Sequence, residues 1–250
     1  MSTARILALV AIFFFTSIVS VVTGSTSLIT VPVMIAMGIE AHIAIAKNML
    51  ALTFMSVGGS LPFLGKGVFS RTHLPLSILL TVIGSALGAL LLLSVPTRAL
   101  RIVIGITIIV IACLSVWDKN AGSKSGAVVR SRAAVVGGYV ATLGLGVYGG
   151  FFSGGYVTLL TTAFVFLFGM SFLQVVATTK VVNVFSSGIA TLVLLWRGIV
   201  NLKLGLVLGI AMFLGALLGG RLTLRLSEVW LRTIFVLAVL GLAIKMLWIR

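Results

Sequence analysis

Polar positions in this chain are punctuation between apolar runs. Segments rich in Leu, Ile, Val and Phe fall at about 4–22, 27–38, 43–65, 74–95 and 99–117, and again at 133–152, 156–168, 172–196, 203–224 and 230–249. A helix needs ~20 apolar residues to cross a hydrocarbon core, and most of these segments have that length. They lack the period-two alternation over ~10 residues that marks the strands of an outer-membrane barrel. The pattern predicts an all-α polytopic integral membrane protein. At ~1.5 Å per residue, 27–38 and 156–168 are too short to span and are expected as broken or re-entrant helices. That leaves four crossings in each half and about eight transmembrane helices. Arg5, the apolar run after it and the small residues near 17–20 also fit a signal peptide. A similar segment recurs at 133–152, which favours a first transmembrane helix.

One stretch reads as a linker: residues 118–132, DKNAGSKSGAVVRSR. It divides a single membrane domain into repeat 1 (1–117) and repeat 2 (133–250). At an offset of 131 residues Gly24 falls on Gly155, Gly38 on Gly169, Ala46 on Ala177 and Leu100-Arg101 on Leu231-Arg232. Internal duplication of this kind is common in transporters, with the site between the halves. Under the eight-crossing count, Arg5, Lys66, Arg71, Lys119, Lys124, Arg130, Arg132, Arg197, Lys203, Lys245 and Arg250 share one side. Arg98, Arg101, Arg221, Arg225 and Arg232 lie on the other. By the positive-inside rule this puts both termini and the linker in the cytoplasm of a multi-pass cell-membrane protein. Full crossing by the short segments would instead invert the repeats and nearly erase the bias.

Composition narrows the function. The 250 residues are 60% hydrophobic and 8% charged, with a mean hydropathy of +1.32. Soluble domains carry ~25% charged residues, so a soluble enzyme and a disordered chain are excluded. The formal charge of +15 is spread thinly between apolar runs, without the basic stripe or stacking platform of a nucleic-acid binder. Cys113 is the only cysteine and His42 and His73 are the only histidines, so no disulfide, metal cage or cofactor is expected. No nucleophile, base and orienting group fall into a catalytic set. The expected partners are the lipid bilayer and a small anion; self-association is compatible with the pattern.

Three intramembrane features carry the chemistry. Small residues interrupt the apolar runs at 23–27 (TGSTS) and 146–155 (GVYGGFFSGG). Irregular backbone is tolerated at membrane depth only inside protein, and a half-helix starting there aims its N–H groups and positive dipole end inward. Gly24, Ser25, Gly154 and Gly155 are the candidate backbone donors; tight packing through small residues is the alternative and can coexist. The second feature is Lys47 and Lys180, each inside an apolar segment. An intramembrane lysine costs ~2.5 kcal/mol or more and usually pairs with an acid, yet Glu40, Asp118 and Glu228 are the whole acidic inventory. Snorkelling answers this in part; a cation awaiting an anionic substrate is the sharper reading. Third, Asn48 adjoins Lys47, and Thr178, Thr179, Asn183, Ser186 and Ser187 surround Lys180. Thr179, Lys180 and Asn183 sit at helical neighbour spacings. Such donors suit an oxyanion, whereas a cation requires carboxylates or carbonyls.

These motifs, in this order, resemble the TauE/SafE (TSUP) membrane transporters. The first half reads GSTSLITVP at 24–32 and AKNM at 46–49; the second reads YGGFFSGG at 148–155, ATTKVVN at 177–183 and WRGIVNLKLG at 196–205. Ser25, Thr26 and Ser27 stand where that family favours glycine, Met49 where it carries a lysine, and Gly149 where an acid is common. The resemblance implies movement of a sulfur-containing or other organic anion across the cytoplasmic membrane by alternating access. Lys180, Thr179, Asn183, Lys47 and Asn48 are the expected side-chain contacts. A passive anion channel or an accessory subunit are the alternatives.

Overall fold

The computed structural model describes residues 2–24, 26–100, 102–104, 106, 130–200, 202–227 and 230. Among them every regular element is helical: α1 (Thr3–Thr23), α2 (Ser27–Ala36), α3 (Ala41–Ser60, extended by a 3₁₀ turn Leu61–Phe63), α4 (Leu74–Ser94), α5 (Arg132–Phe151), α6 (Tyr156–Phe168), α7 (Phe172–Trp196) and α8 (Leu202–Thr223). Six of these, all but α2 and α6, are long and apolar enough to cross a membrane. The protein is a multi-pass, all-α membrane protein. The expected spans at 99–117 and 230–249, and nearly all of the linker, lie outside the described residues.

Local chemistry sets where each helix begins and ends. Ser171 and Gln174 close a capping box on α7, Ser131 caps α5, and the Glu40 carboxylate caps α3 by accepting from Ile43 N–H at 3.2 Å. α1 ends because Gly24 adopts φ 71° and turns its N–H back onto the Ser20 carbonyl, a conformation that favours glycine. Gly155, with φ 73°, opens α6 in the same region of backbone space. The second break is narrower than its composition suggests. α5 stays helical through Phe151, so only residues 152–155 are irregular. Gly146 and Gly150 serve packing: a Cβ on Gly150 would lie 2.1 Å from the Ser85 carbonyl oxygen.

Glycine contacts fix the helix directions. Gly215 meets Phe14 and Ser17 while Gly219 meets Ile18, so α8 runs parallel to α1. Gly205 meets Leu50 and Gly209 meets Phe54, so α3 is parallel to both. Gly84 meets Leu143 and Val147 while Gly88 meets Val147 and Phe151, making α4 parallel to α5. α7 runs against α3, since Thr53 pairs with Thr191 and Ser56 with Asn183. It runs with α4, as Ser70 and Ser85 bond Thr178 and Ser186 in the same order. Hence α1, α3 and α8 point one way and α4, α5 and α7 the other.

The sequence-based orientation put α1 and α3 in opposite directions, and here the structure departs from it. Each short helix turns the chain back, so α3 re-runs the direction of α1 and α7 that of α5. The order long, short, long, long occurs twice, pointing opposite ways. On this arrangement Arg5, Arg98, Arg197 and Lys203 lie at one end of the bundle. Lys66, Arg71, Arg130, Arg132, Arg221 and Arg225 lie at the other, so among the described residues the charge bias is largely gone. Exposed Phe15, Val140, Leu192 and Ile210 give the bundle the apolar outer surface a bilayer demands.

Candidate functional site

The two breaks meet inside the bundle. A Cβ on Gly24 would fall 2.6 Å from the Val157 Cβ, and one on Gly154 would fall 2.9 Å from the Leu28 side chain. The Thr158 hydroxyl donates to the Thr23 carbonyl at 2.6 Å. The start of α6 therefore abuts the end of α1, and the start of α2 abuts the α5–α6 turn. α2 and α6 leave this crossing in opposite directions. Their N-termini, the positive ends of the two helix dipoles, converge at it.

Lys180 reaches this crossing from α7. It is 0% exposed, its stem packs against Gly59 of α3, and its Nζ donates to the Ser20 carbonyl at 2.8 Å. Ser20 lies in the last turn of α1, at the negative end of its dipole, and its carbonyl accepts from Lys180 as well as from the Gly24 N–H. A helix C-terminus therefore holds the Lys180 amine, and no carboxylate pairs with it among the described residues. Sequence reasoning sought its partner among acids and missed this carbonyl. The glycine that ends α1 one turn later, Gly24, was the available signal.

The asparagines are tied across helices. Asn183 Nδ2 donates to Ser56 Oγ at 2.6 Å, joining α7 to α3. Asn48 Nδ2 donates to Ser27 Oγ at 2.8 Å, and its Oδ1 accepts from the Thr30 hydroxyl at 2.7 Å, clamping α3 onto the first turn of α2. The Thr179 hydroxyl donates back to the Val175 carbonyl at 2.8 Å. Thr179, Lys180 and Asn183 are all buried on α7.

Other expected members are placed differently. Lys47 is buried on α3, but it lies twelve residues from Gly59, against which Lys180 packs, or about 18 Å along the helix. The two lysines do not converge. Glu40, seven residues from Lys47, is occupied by His42 at 3.0 Å and Thr97 at 2.9 Å. The Gly24 N–H is engaged by the Ser20 carbonyl and is not a free donor. The carbonyl of Gly154 accepts from Tyr148 Oη, and that of Gly155 from Leu159 N–H. Ser25 lies outside the described residues.

At the bundle ends two histidines are held by neighbours. His42 lies between Glu40 and the Val95 carbonyl. Burial pushes the Glu40 carboxyl up, but hydrogen bonds from His42, Thr97 and the backbone of His42 and Ile43 outweigh it and bring the pKa down to about 2. His73 stacks on Phe168 with centroids 4.3 Å apart and bonds Tyr139 Oη at 2.9 Å. Burial pushes its imidazole below the usual range.

Six candidate spans, two opposed half-helices and a buried lysine at their crossing define a polytopic transporter-like membrane protein. The family model for the sulfite exporter TauE/SafE matches residues 9–246, and the chain belongs to that family. It is 30% identical to the probable membrane transporter protein ORF9 of Sinorhizobium sp over 94% of this chain and 89% of that one. It is 29% identical to the probable membrane transporter protein YfcA of Escherichia coli K12 over 91% and 84%. A probable membrane transporter protein of Haemophilus influenzae is 26% identical over 94% and 91%. No solved structure matches with significance. The protein is a membrane transporter.

Proposed function

We propose that the protein carries a small oxyanion, sulfur-containing or organic, across the cytoplasmic membrane. The observation that carries this reading is Lys180: fully buried, donating to a backbone carbonyl and paired with no carboxylate among the described residues. A full charge in such a place is costly, and a packing role alone would be met by methionine, which is the residue at the corresponding position, 49. The N-termini of α2 and α6 converge on the same region and add positive potential. An anion is the solute that this combination favours.

Two opposed sets of helices that cross at half-helices support alternating access, with one set rocking against the other around the crossing. Lys180 would exchange the Ser20 carbonyl for the solute, while Thr179 and Asn183 line the same face and the Asn48 clamp holds α2 in register. Gly154 and Gly155 shape the turn against which the solute rests. A helical bundle rather than a barrel, and bacterial relatives, support an inner-membrane location.

The test is uptake of sulfite and methanesulfonate into proteoliposomes by wild type and Lys180→Met. Saturable uptake by wild type, reduced at least about tenfold in the variant (the loss of one hydrogen bond to a charged solute), is expected. Equal flux through both proteins removes Lys180 from the site. Non-saturable flux would favour a channel.

A further inference from the structure

Three hydroxyls and one amide oxygen are buried without a hydrogen bond among the described residues: Ser77 Oγ, Thr81 Oγ1, Tyr156 Oη and Asn183 Oδ1. Buried polar atoms in native proteins are nearly always satisfied, and exceptions call for an explanation. These four belong to adjoining surfaces. Ser77 and Thr81 are one turn apart on α4, with Ser85 a further turn on. Tyr156, the first residue of α6, is 0% exposed and holds its hydroxyl beside Thr81 and Ser186 without a well-formed hydrogen bond to either. Ser186 bonds Ser85 at 2.7 Å. Asn183 lies one turn from Ser186 on α7 and one turn from Lys180.

The other half of the molecule shows that the architecture does not require hydroxyls at these positions. At the 131-residue offset Ser77, Thr81, Ser85 and Ser186 correspond to Leu208, Met212, Ala216 and Met55. All four are buried, and α8 packs on α1 and α3 as α4 packs on α5 and α7. The same architecture is thus built dry on one side. On the other it holds four hydroxyls, of which Ser85 and Ser186 bond each other across α4 and α7 while Ser77 and Thr81 find no partner among the described residues.

We propose that the junction of α4, α6 and α7 is a solute subsite, in which Ser77, Thr81 and Tyr156 donate to the oxygen atoms of the transported anion while Lys180 meets its charge. This rests on the anion-transport reading and deepens it. Uncharged hydroxyls leave an oxyanion bound loosely enough to be released, and their fixed spacing on α4 selects by the number and position of its oxygens. Asn183 Oδ1, an acceptor, adds a place for a protonated group on the same solute. The polar side of the bundle, and not its apolar counterpart, is the side the solute uses.

Unpaired hydroxyls predict an unusual signature, because removing them takes away no hydrogen bond from the fold. Tyr156→Phe, Thr81→Val and Ser77→Ala are purified in detergent for thermal unfolding and reconstituted for sulfite and methanesulfonate uptake. The expected result is an unfolding midpoint equal to or above wild type in all three. KM should rise about tenfold or more in Tyr156→Phe and Thr81→Val, with Thr81→Ser restoring it. Met212→Leu, a volume-conserving change at the corresponding position of the dry side, should leave KM unchanged. Wild-type KM in all three variants overturns the subsite while leaving the transport reading intact. Variants that unfold at lower temperature also overturn it, since the hydroxyls would then be structural. Wild-type protein that carries neither anion overturns the transport reading and this inference with it.

Discussion

Lys180 and Glu40, both ionisable, are held in opposite ways. Lys180 has no acid beside it among the described residues and rests on a carbonyl at the end of α1. Glu40 is the only carboxylate among the described residues, and it is bound by His42, Thr97 and a backbone N–H. Its folded pKa, about 2, lies below the ordinary value of 4.5. Its contribution to stability is therefore full above 4.5 and lost as pH falls towards 2. The unfolding midpoint should decline across that window in wild type, and Glu40→Gln should lose this part of the decline. Equal slopes in the two proteins would remove Glu40 as the cause. The signal for the Glu40 pairing was present in the sequence only as proximity to His42; Thr97 joins through tertiary packing, from 57 residues away.

At the scale of elements, the long helices are joined through glycine. α4 lies so close to α5 that a Cβ on Gly88 would fall 2.0 Å from the Val147 carbonyl oxygen. A backbone atom cannot swing aside as a side chain can, so Gly88→Ala should destabilise by about 1–3 kcal/mol or more, the range of overpacked cores. Gly137, on α5, has nothing within 4 Å of such a Cβ, and Gly137→Ala should leave stability unchanged or raise it by about 0.5–1 kcal/mol. Unfolding of both variants in detergent checks the contrast. The short helices were legible in the sequence from their length and their small-residue starts. Which glycines break a helix and which pack one was not. Gly149 and Gly150 have the same composition signature as Gly154 and Gly155, yet the first pair lies within α5 and the second in the turn.

For the whole molecule, the direction of the helices carries the largest consequence. Lys66, after α3, and Arg197, after α7, lie at opposite ends of the bundle, whereas the eight-crossing reading puts them on one side. In a Cys113→Ser background, cysteines at positions 66 and 197 should react with a membrane-impermeant maleimide from opposite faces of oriented vesicles. Labelling of both from the same face would restore the eight-crossing orientation. Opposed halves also explain why the bases of the described loops show little bias between the two ends: corresponding loops face opposite ways, and their bases divide.

The sequence by itself determined the solvent and the class. Apolar length dictates helices in a bilayer, scarcity of acids leaves the lysines without ordinary partners, and motif order identifies the family. These are properties of composition and local period, which need no fold to act. Only the tertiary structure decided that Lys180 sits on the end of α1, that Lys47 lies apart from it, and that hydroxyls on α4 gather beside Tyr156. Each depends on which helices are neighbours and in which direction they run. In a chain whose helices are nearly all apolar, that choice is made by close glycine packing and by interhelical hydrogen bonds between residues far apart in sequence.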